Sequence, residues 1–212
     1  MQIKRPFFGG ERATYHHGSL KDALIEAARQ LVAERGPSGF TLAEAAKRVG
    51  VTGAAPYRHF ADRQALLQEL ALRGFAKFGA VLREAWHTGQ PDATTAMRRM
   101  GRAYQIFSRD EPGLYSAMFS SSAAQVGCEV GDSATQAFEM LVTATAAVLA
   151  QHGISIPARA LAYEIWALSH GIAMLGVTGF LSADHAGCDP DAILNSATAS
   201  LIEMAIKRAK GG

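Results

Sequence analysis

Strand-type patterning is missing from this chain. Nowhere in its 212 residues does an apolar–polar alternation run for a useful length, and β-branched residues are thin while alanine is abundant. That excludes a sheet-based fold and points to an all-α one. Cysteine is nearly absent. The two present, Cys128 and Cys188, lie in no Cys-x-x-Cys pair or Cys/His cluster, so no zinc is expected. No run of about 18 apolar residues goes uninterrupted, so no membrane span is expected. The first residues, MQIKRPFFGGERATYHHG, are basic but lack the apolar stretch of a signal peptide. A cytoplasmic chain without a disulfide follows. The enzyme motifs are missing too: no G-x-S-x-G, phosphate loop, G-x-G-x-x-G after a strand, H-E-x-x-H or paired carboxylates. No enzyme is expected, and no cofactor. His16 and His17 are adjacent but lack a third ligand at helical spacing, so no metal is expected either.

What is there suits a globular, helical protein. The chain is 49% hydrophobic and 19% charged, enough to bury a core. Its net charge of +2 is unevenly spread. Residues 1–63 hold ten lysines and arginines against six acids, whereas the remainder holds eleven against thirteen. A basic first third on a near-neutral body suits a polyanion at one end.

Residues 1–18 have no periodicity and read as a flexible basic arm. Ser19 followed by Asp22 has capping-box character, and Leu20, Ala23, Leu24, Ala27, Ala28 and Leu31 predict an amphipathic helix over 20–35, stopped at Gly36. Thr41 can cap a helix over 42–49, and Gly50 ends it. Gly50, Val51 and Thr52 separate it from a short helix over 53–59. Asp62 then caps a long helix over 63–86. Helical windows recur at 92–108, 112–125, 132–151, 157–180 and 190–208. Residues 19–79 thus form a three-helix head and 80–212 a larger helical body.

Two helices joined by a three-residue, glycine-containing turn make a helix-turn-helix, over about 41–60. In DNA-binding versions the second helix enters the major groove with its first residues at base edges. Here those are Gly53, Ala54 and Ala55, which have nothing to bury and let the backbone come close to DNA. Pro56 fits only in a first turn, since it lacks an amide proton. Tyr57 and His59 can donate to phosphates and Arg58 to a guanine. The Tyr57 ring is expected to pack with its hydroxyl outward, and Phe60 to close against the core.

The segment TLAEAAKRVGVTGAAPYRHFADRQALL, residues 41–67, resembles the DNA-binding motif of the TetR/AcrR family of transcriptional regulators. The match lies at Thr41, Ala46, Gly50, Val51, Thr52, Pro56, Tyr57, His59, Phe60, Asp62, Arg63 and Leu66, and extends over the preceding helix, ALIEAARQLVAERG. The resemblance implies a dimeric, operator-binding repressor. It places Thr41, Thr52, Tyr57, His59 and Arg63 at phosphate-contacting positions. It places Gly53, Ala54, Ala55 and Arg58 at base-reading ones, where the three small residues offer methyl contacts at most.

In that family the body pairs two subunits and often holds a small effector. Here its helices are dense in aromatics. Phe78, Tyr104, Phe107, Phe119, Phe138 and Trp166 are expected to enclose an apolar cavity, with His170 as a polar contact; on an otherwise apolar face that histidine is either such an anchor or a satisfied buried imidazole. The run WALSHGIAML, residues 166–175, resembles a C-terminal variant with a Trp…His-Gly sequence, and puts Trp166, Ser169, His170 and Ala173 on one helical face. Gly171, Gly176 and Gly179 allow close helix approach, so helices 157–180 and 190–208 are expected to form a four-helix dimer interface. The partners expected are double-stranded operator DNA, a small effector and a second copy, with no membrane. The competing class is a helical interaction protein with a degenerate DNA-binding head.

Overall fold

Helix-favouring composition and local caps produce an all-helical molecule. The computed structural model describes residues 17–120, 128–181 and 189–211. The basic arm before His17, the predicted helical segment after Ser120 and Cys188 lie outside the described residues. Helix α1 (His17–Arg35) begins two residues before Ser19, which is therefore not its cap. It ends where Gly36 takes a φ of 78°, and the Gly36 amide bonds the Val32 carbonyl at 2.8 Å.

Helix α2 (Leu42–Val49) has a complete capping box. The Thr41 hydroxyl accepts from the Glu44 amide at 3.2 Å, and the Glu44 carboxylate accepts from the Thr41 amide at 2.9 Å. Gly50, at φ 79°, ends the helix. The expected helix over 53–59 is only a 3₁₀ turn, Ala55–Arg58. Pro56 supplies no amide donor and the segment is too short to propagate a regular α-helix. Helix α3 (Arg63–Trp86) starts as expected, with Asp62 accepting from the Ala65 amide at 2.8 Å. It runs unbroken through residues 79 and 80, so head and body share one continuous rod of about 36 Å.

The body consists of α4 (Ala93–Asp110), α5 (Pro112–Met118), α6 (Cys128–Gln151), α7 (Arg159–Val177) and α8 (Pro190–Gly211). Helix α7 stops at Val177, so Gly179 lies beyond it, at φ 83°. Helix α3 is the hub: it packs on α1, α4, α5 and α6. Its buried Leu66, Leu67, Leu70, Phe75, Phe78 and Leu82 join one core that continues through Leu24 and Leu31 of α1 to Tyr115 and Leu149. The outer end of α3 and α4 is tied by backbone bonds. The Arg99 guanidinium donates to the carbonyls of Ala85 (2.9 Å), Trp86 (3.4 Å) and Gln90. The Gln151 side-chain oxygen accepts from the first amides of α4, Ala93 at 2.9 Å and Thr94 at 3.4 Å.

Two helices, over Gly131–Gln151 and Arg159–Val177, are long and apolar enough by length and composition to cross a membrane, with mean hydropathies of 1.2 and 1.3. Both pack here on other helices, α6 on α3, α4 and α7, and α7 on α4, α6 and α8. About a third of the α7 window, 33%, is buried, which leaves an apolar face without a neighbour among the described residues.

Candidate DNA-binding surface and effector cavity

The turn that follows α2 is exposed where DNA contact requires it. Thr52, Gly53, Ala54, Tyr57 and Arg58 are exposed, Ala55 and His59 half-buried, and Pro56 and Phe60 buried. The turn is therefore pinned by Pro56 and Phe60 while the residues between and before them face outward. The Tyr57 ring is 61% exposed, so it does not pack against the core as expected; Pro56 and Phe60 fill that role. Arg58 has no carboxylate within salt-bridge distance among the described residues, and neither has Lys47 at the end of α2. Arg48 is held by Glu34 at 2.7 and 2.8 Å. Arg63 donates to the Pro37 carbonyl at 3.0 Å, which ties the start of α3 to the loop before α2. The Thr41 hydroxyl is engaged with Glu44 on both sides, at 3.1 and 3.2 Å, so in this state it serves the cap.

Inside the body is a cavity of about 90 Å³. Of the expected effector residues, Phe78, Tyr104, Phe119, Phe138 and Trp166 line it. Phe107 stands behind the wall, its ring 5.2 Å from that of Phe78. His170 is not among the lining residues either. Its Nδ1 lies 2.7 Å from the Tyr115 hydroxyl and 3.2 Å from that of Tyr104, and the two hydroxyls are 3.2 Å apart. Burial pushes the Tyr104 phenol up to about 12 and the Tyr115 phenol up as well, so both keep their protons. Two protonated phenols and Nδ1 thus form a triangle of hydrogen bonds. His170 closes a hydrogen-bond relay behind Tyr104 and does not face the cavity itself.

Residues 24–70 match the model of the bacterial regulatory proteins of the tetR family, and residues 97–201 match a tetracyclin repressor-like C-terminal domain. The chain belongs to the TetR family of transcriptional regulators. The uncharacterized HTH-type transcriptional regulator YobS of Bacillus subtilis (strain 168) is 29% identical over 100 residues, 47% of this chain and 51% of its own. The match thus spans about half the length of this curated relative. A protein of unknown function from Rhodococcus sp. RHA1 has a structure with a TM-score of 0.74 at 29% identity, over 91% of this chain and 98% of that one. AibR in complex with isovaleryl coenzyme A and operator DNA shares the fold, at a TM-score of 0.66 and 16% identity, over 86% of this chain and 97% of that one.

In this TetR-family chain, head and cavity meet at α5. One side of the helix carries the buried Tyr115 of the relay, and Phe119 just beyond it lines the cavity. The other side lies on α1 so closely that a Cβ added to Gly113 would be 2.1 Å from the Arg29 carbonyl oxygen. Around this contact Glu111 holds Arg29 at 3.3 Å and Lys77 at 2.5 Å, and Arg29 holds Glu26 at 2.7 Å. The sequence reading missed Gly113 and Tyr115 as site residues. Glycine just after a helix-starting proline, followed two residues later by tyrosine, was the available signal.

Burial lowers the pKa of His170 from its ordinary value of 6.5, so the folded protein holds the ring neutral. The unfolded chain then takes up a proton first as the pH falls. This contribution to stability is complete above the unfolded pKa and is lost as the pH falls from about 6.5 toward the lowered folded value. The carboxylates of Asp92, Glu44 and Glu69 are also depressed, but they weaken the fold only below about 4.5, when they too protonate. Melting curves at pH 7.5 and 5.5 should show a loss for the wild type that is smaller in His170→Gln, whose side-chain amide can still hydrogen-bond Tyr115.

Proposed function

We propose that the protein is a homodimeric, operator-binding repressor, released from DNA when a small apolar effector fills the cavity. The observation that carries the effector reading is α5, one side of which backs the cavity while the other lies on α1 of the head. An effector that reshapes the cavity favours one seating of α5, and α1 moves with it. The equilibrium between DNA-competent and incompetent head spacings shifts by the ligand's differential affinity for the two. The structure of AibR with isovaleryl coenzyme A and operator DNA supports a fold that accommodates both.

The dimer reading rests on the unneighboured face of α7 and α8. A shallow groove there is lined by Leu168, Ile193, Ala197 and Leu201. A Cβ at Gly171 or Gly176 would meet nothing within 4 Å. A second copy packed on this face by a two-fold axis would set two heads on half-sites about 34–36 Å apart, or a multiple of that.

The direct test is a footprint of the purified protein on its own upstream DNA, with and without apolar ligands. Protection of two half-sites, lost on adding one ligand, is the expected result. Within each half-site Arg58 is the only long donor at the base-reading positions. Arg58→Ala should cost about 1–3 kcal/mol on the cognate operator and flatten preference at one base pair. Tyr57→Phe should weaken all sequences about equally with little change in salt slope, because a neutral hydroxyl releases no counterion. Titration against single-base operator variants at fixed salt separates these. An equal loss on every variant for Arg58→Ala would make Arg58 a phosphate contact and leave specificity to DNA shape.

A further inference from the structure

The cavity is not uniformly apolar, and some of its polar groups lack partners among the described residues. Thr94, Met97, Arg98, Gly101 and Tyr104 of α4 line it along a span of about 15 Å. Tyr104 marks the end near the head, where its hydroxyl is taken by the relay. At the other end the Thr94 hydroxyl oxygen is buried with no hydrogen-bond partner. Its i+4 neighbour, Arg98, is exposed at the cavity's edge and donates only to the Thr95 hydroxyl, at 3.3 Å. The adjacent arginines of α4 are committed: Arg99 to three backbone carbonyls and Arg102 to Asp191 at 3.7 Å. Arg98 alone of the three faces no carboxylate within salt-bridge distance among the described residues. Helix α8 adds Asn195 and Thr198 to the lining, and neither side chain has a hydrogen-bond partner among the described residues.

A buried hydroxyl without a partner costs free energy in the empty protein, about 1–3 kcal/mol, unless a ligand or water satisfies it. The same cavity is lined by a guanidinium, an amide and a second hydroxyl. This donor-rich set faces a wall of Phe75, Phe78, Phe119, Phe138 and Trp166.

We propose that the effector is an amphipathic anion: an apolar chain or ring carrying one carboxylate-like head, the head held by Arg98 and Thr94 and the tail laid along the aromatic wall. Asn195 and Thr198 complete the head site. This rests on the effector-cavity reading above and narrows it to a ligand class. A neutral alcohol of the same length satisfies Thr94 but leaves Arg98 without a counter-charge, and an amine meets like charge at the cavity's edge.

The test is calorimetric titration of the full chain at pH 7.5 with octanoate, 1-octanol and octylammonium, each below its aggregation limit. A hydrogen bond to a charged group is worth enough to give octanoate about a ten-fold or greater advantage over 1-octanol. Octylammonium should bind weakest. Arg98→Gln, at an exposed position, should abolish the octanoate advantage and leave 1-octanol unchanged. Thr94→Val should reduce octanoate binding and raise the melting temperature of the ligand-free protein, because it removes the unpartnered hydroxyl. Equal affinity for octanoate and 1-octanol, or an Arg98→Gln variant that keeps the difference, overturns the anionic head and leaves the apolar cavity standing. No binding of any of the three overturns both.

Discussion

Gly113→Ala should lower the melting temperature by about 6–12 °C and loosen the hold of the body on the head. The added methyl would sit 2.1 Å from the Arg29 carbonyl oxygen and 3.0 Å from its carbon, so the obstacle is backbone and cannot swing aside. Helices α5 and α1 must separate. Overpacking costs about 1–3 kcal/mol and sometimes more, and a backbone obstacle belongs at the upper end. In a chain of this size each kcal/mol moves the midpoint by about 2–4 °C. Gly79→Ala is the control. It lies inside α3 with nothing within 4 Å of an added Cβ, and should be neutral or stabilising by up to about 1 kcal/mol. If both variants melt alike, the close seating of α5 on α1 is wrong. If Gly113→Ala melts early yet its operator affinity still responds to ligand as the wild type's does, α5 is a support and not a coupler.

Leu175→Glu should abolish the proposed dimer while leaving the subunit folded. Leu175 is 45% exposed and follows Leu168 and Gly171 at helical spacing, so the three share the unneighboured face of α7. Two glutamates brought together by the two-fold axis would be desolvated without partners. The expected species in sedimentation is a monomer at concentrations where the wild type is a dimer. Operator affinity should fall much further than for any single DNA contact. Two tethered heads engage two half-sites with an effective concentration that raises overall affinity by about 10²–10⁴-fold, and a monomer forfeits it. A variant that stays dimeric places the interface elsewhere.

Much of the head was legible because its signals are local. Thr41, Gly36, Gly50 and Asp62 act on amides within one helical turn, and all four stand where the spacing put them. The α3 core positions were readable for the same reason. The turn over residues 55–58 was harder. A proline and three small residues set its sequence apart, but whether four residues make an α or a 3₁₀ turn depends on how Pro56 and Phe60 seat in the core. The body's aromatic lining was partly legible from density alone, since five of six aromatics reach the cavity. His170 was not. Its neighbour Tyr115 is 55 residues away in the chain, and only the packing of α5 on α7 decides whether the ring faces space or a phenol. Gly113 and Arg98 escaped for the same reason: each is defined by what another helix places, or fails to place, beside it.

The binding of Arg99 to three carbonyls and of Gln151 to two amides has a mechanical consequence. It makes the far end of the α3–α4 pair a clamped joint, closed by hydrogen bonds to backbone. Toward the head, the corner between α4 and α5 is joined to α1 and α3 by the ion pairs of Glu111 with Arg29 and Lys77, partly exposed and weakened by salt. A wedge pressed between two arms joined at one end spreads them at the other, as in tweezers. Helix α4 is therefore clamped where a ligand's anionic head would rest, and its corner with α5 is held by salt-sensitive pairs where it meets α1. In the proposed function, work done by filling the cavity is directed toward α1 of the head.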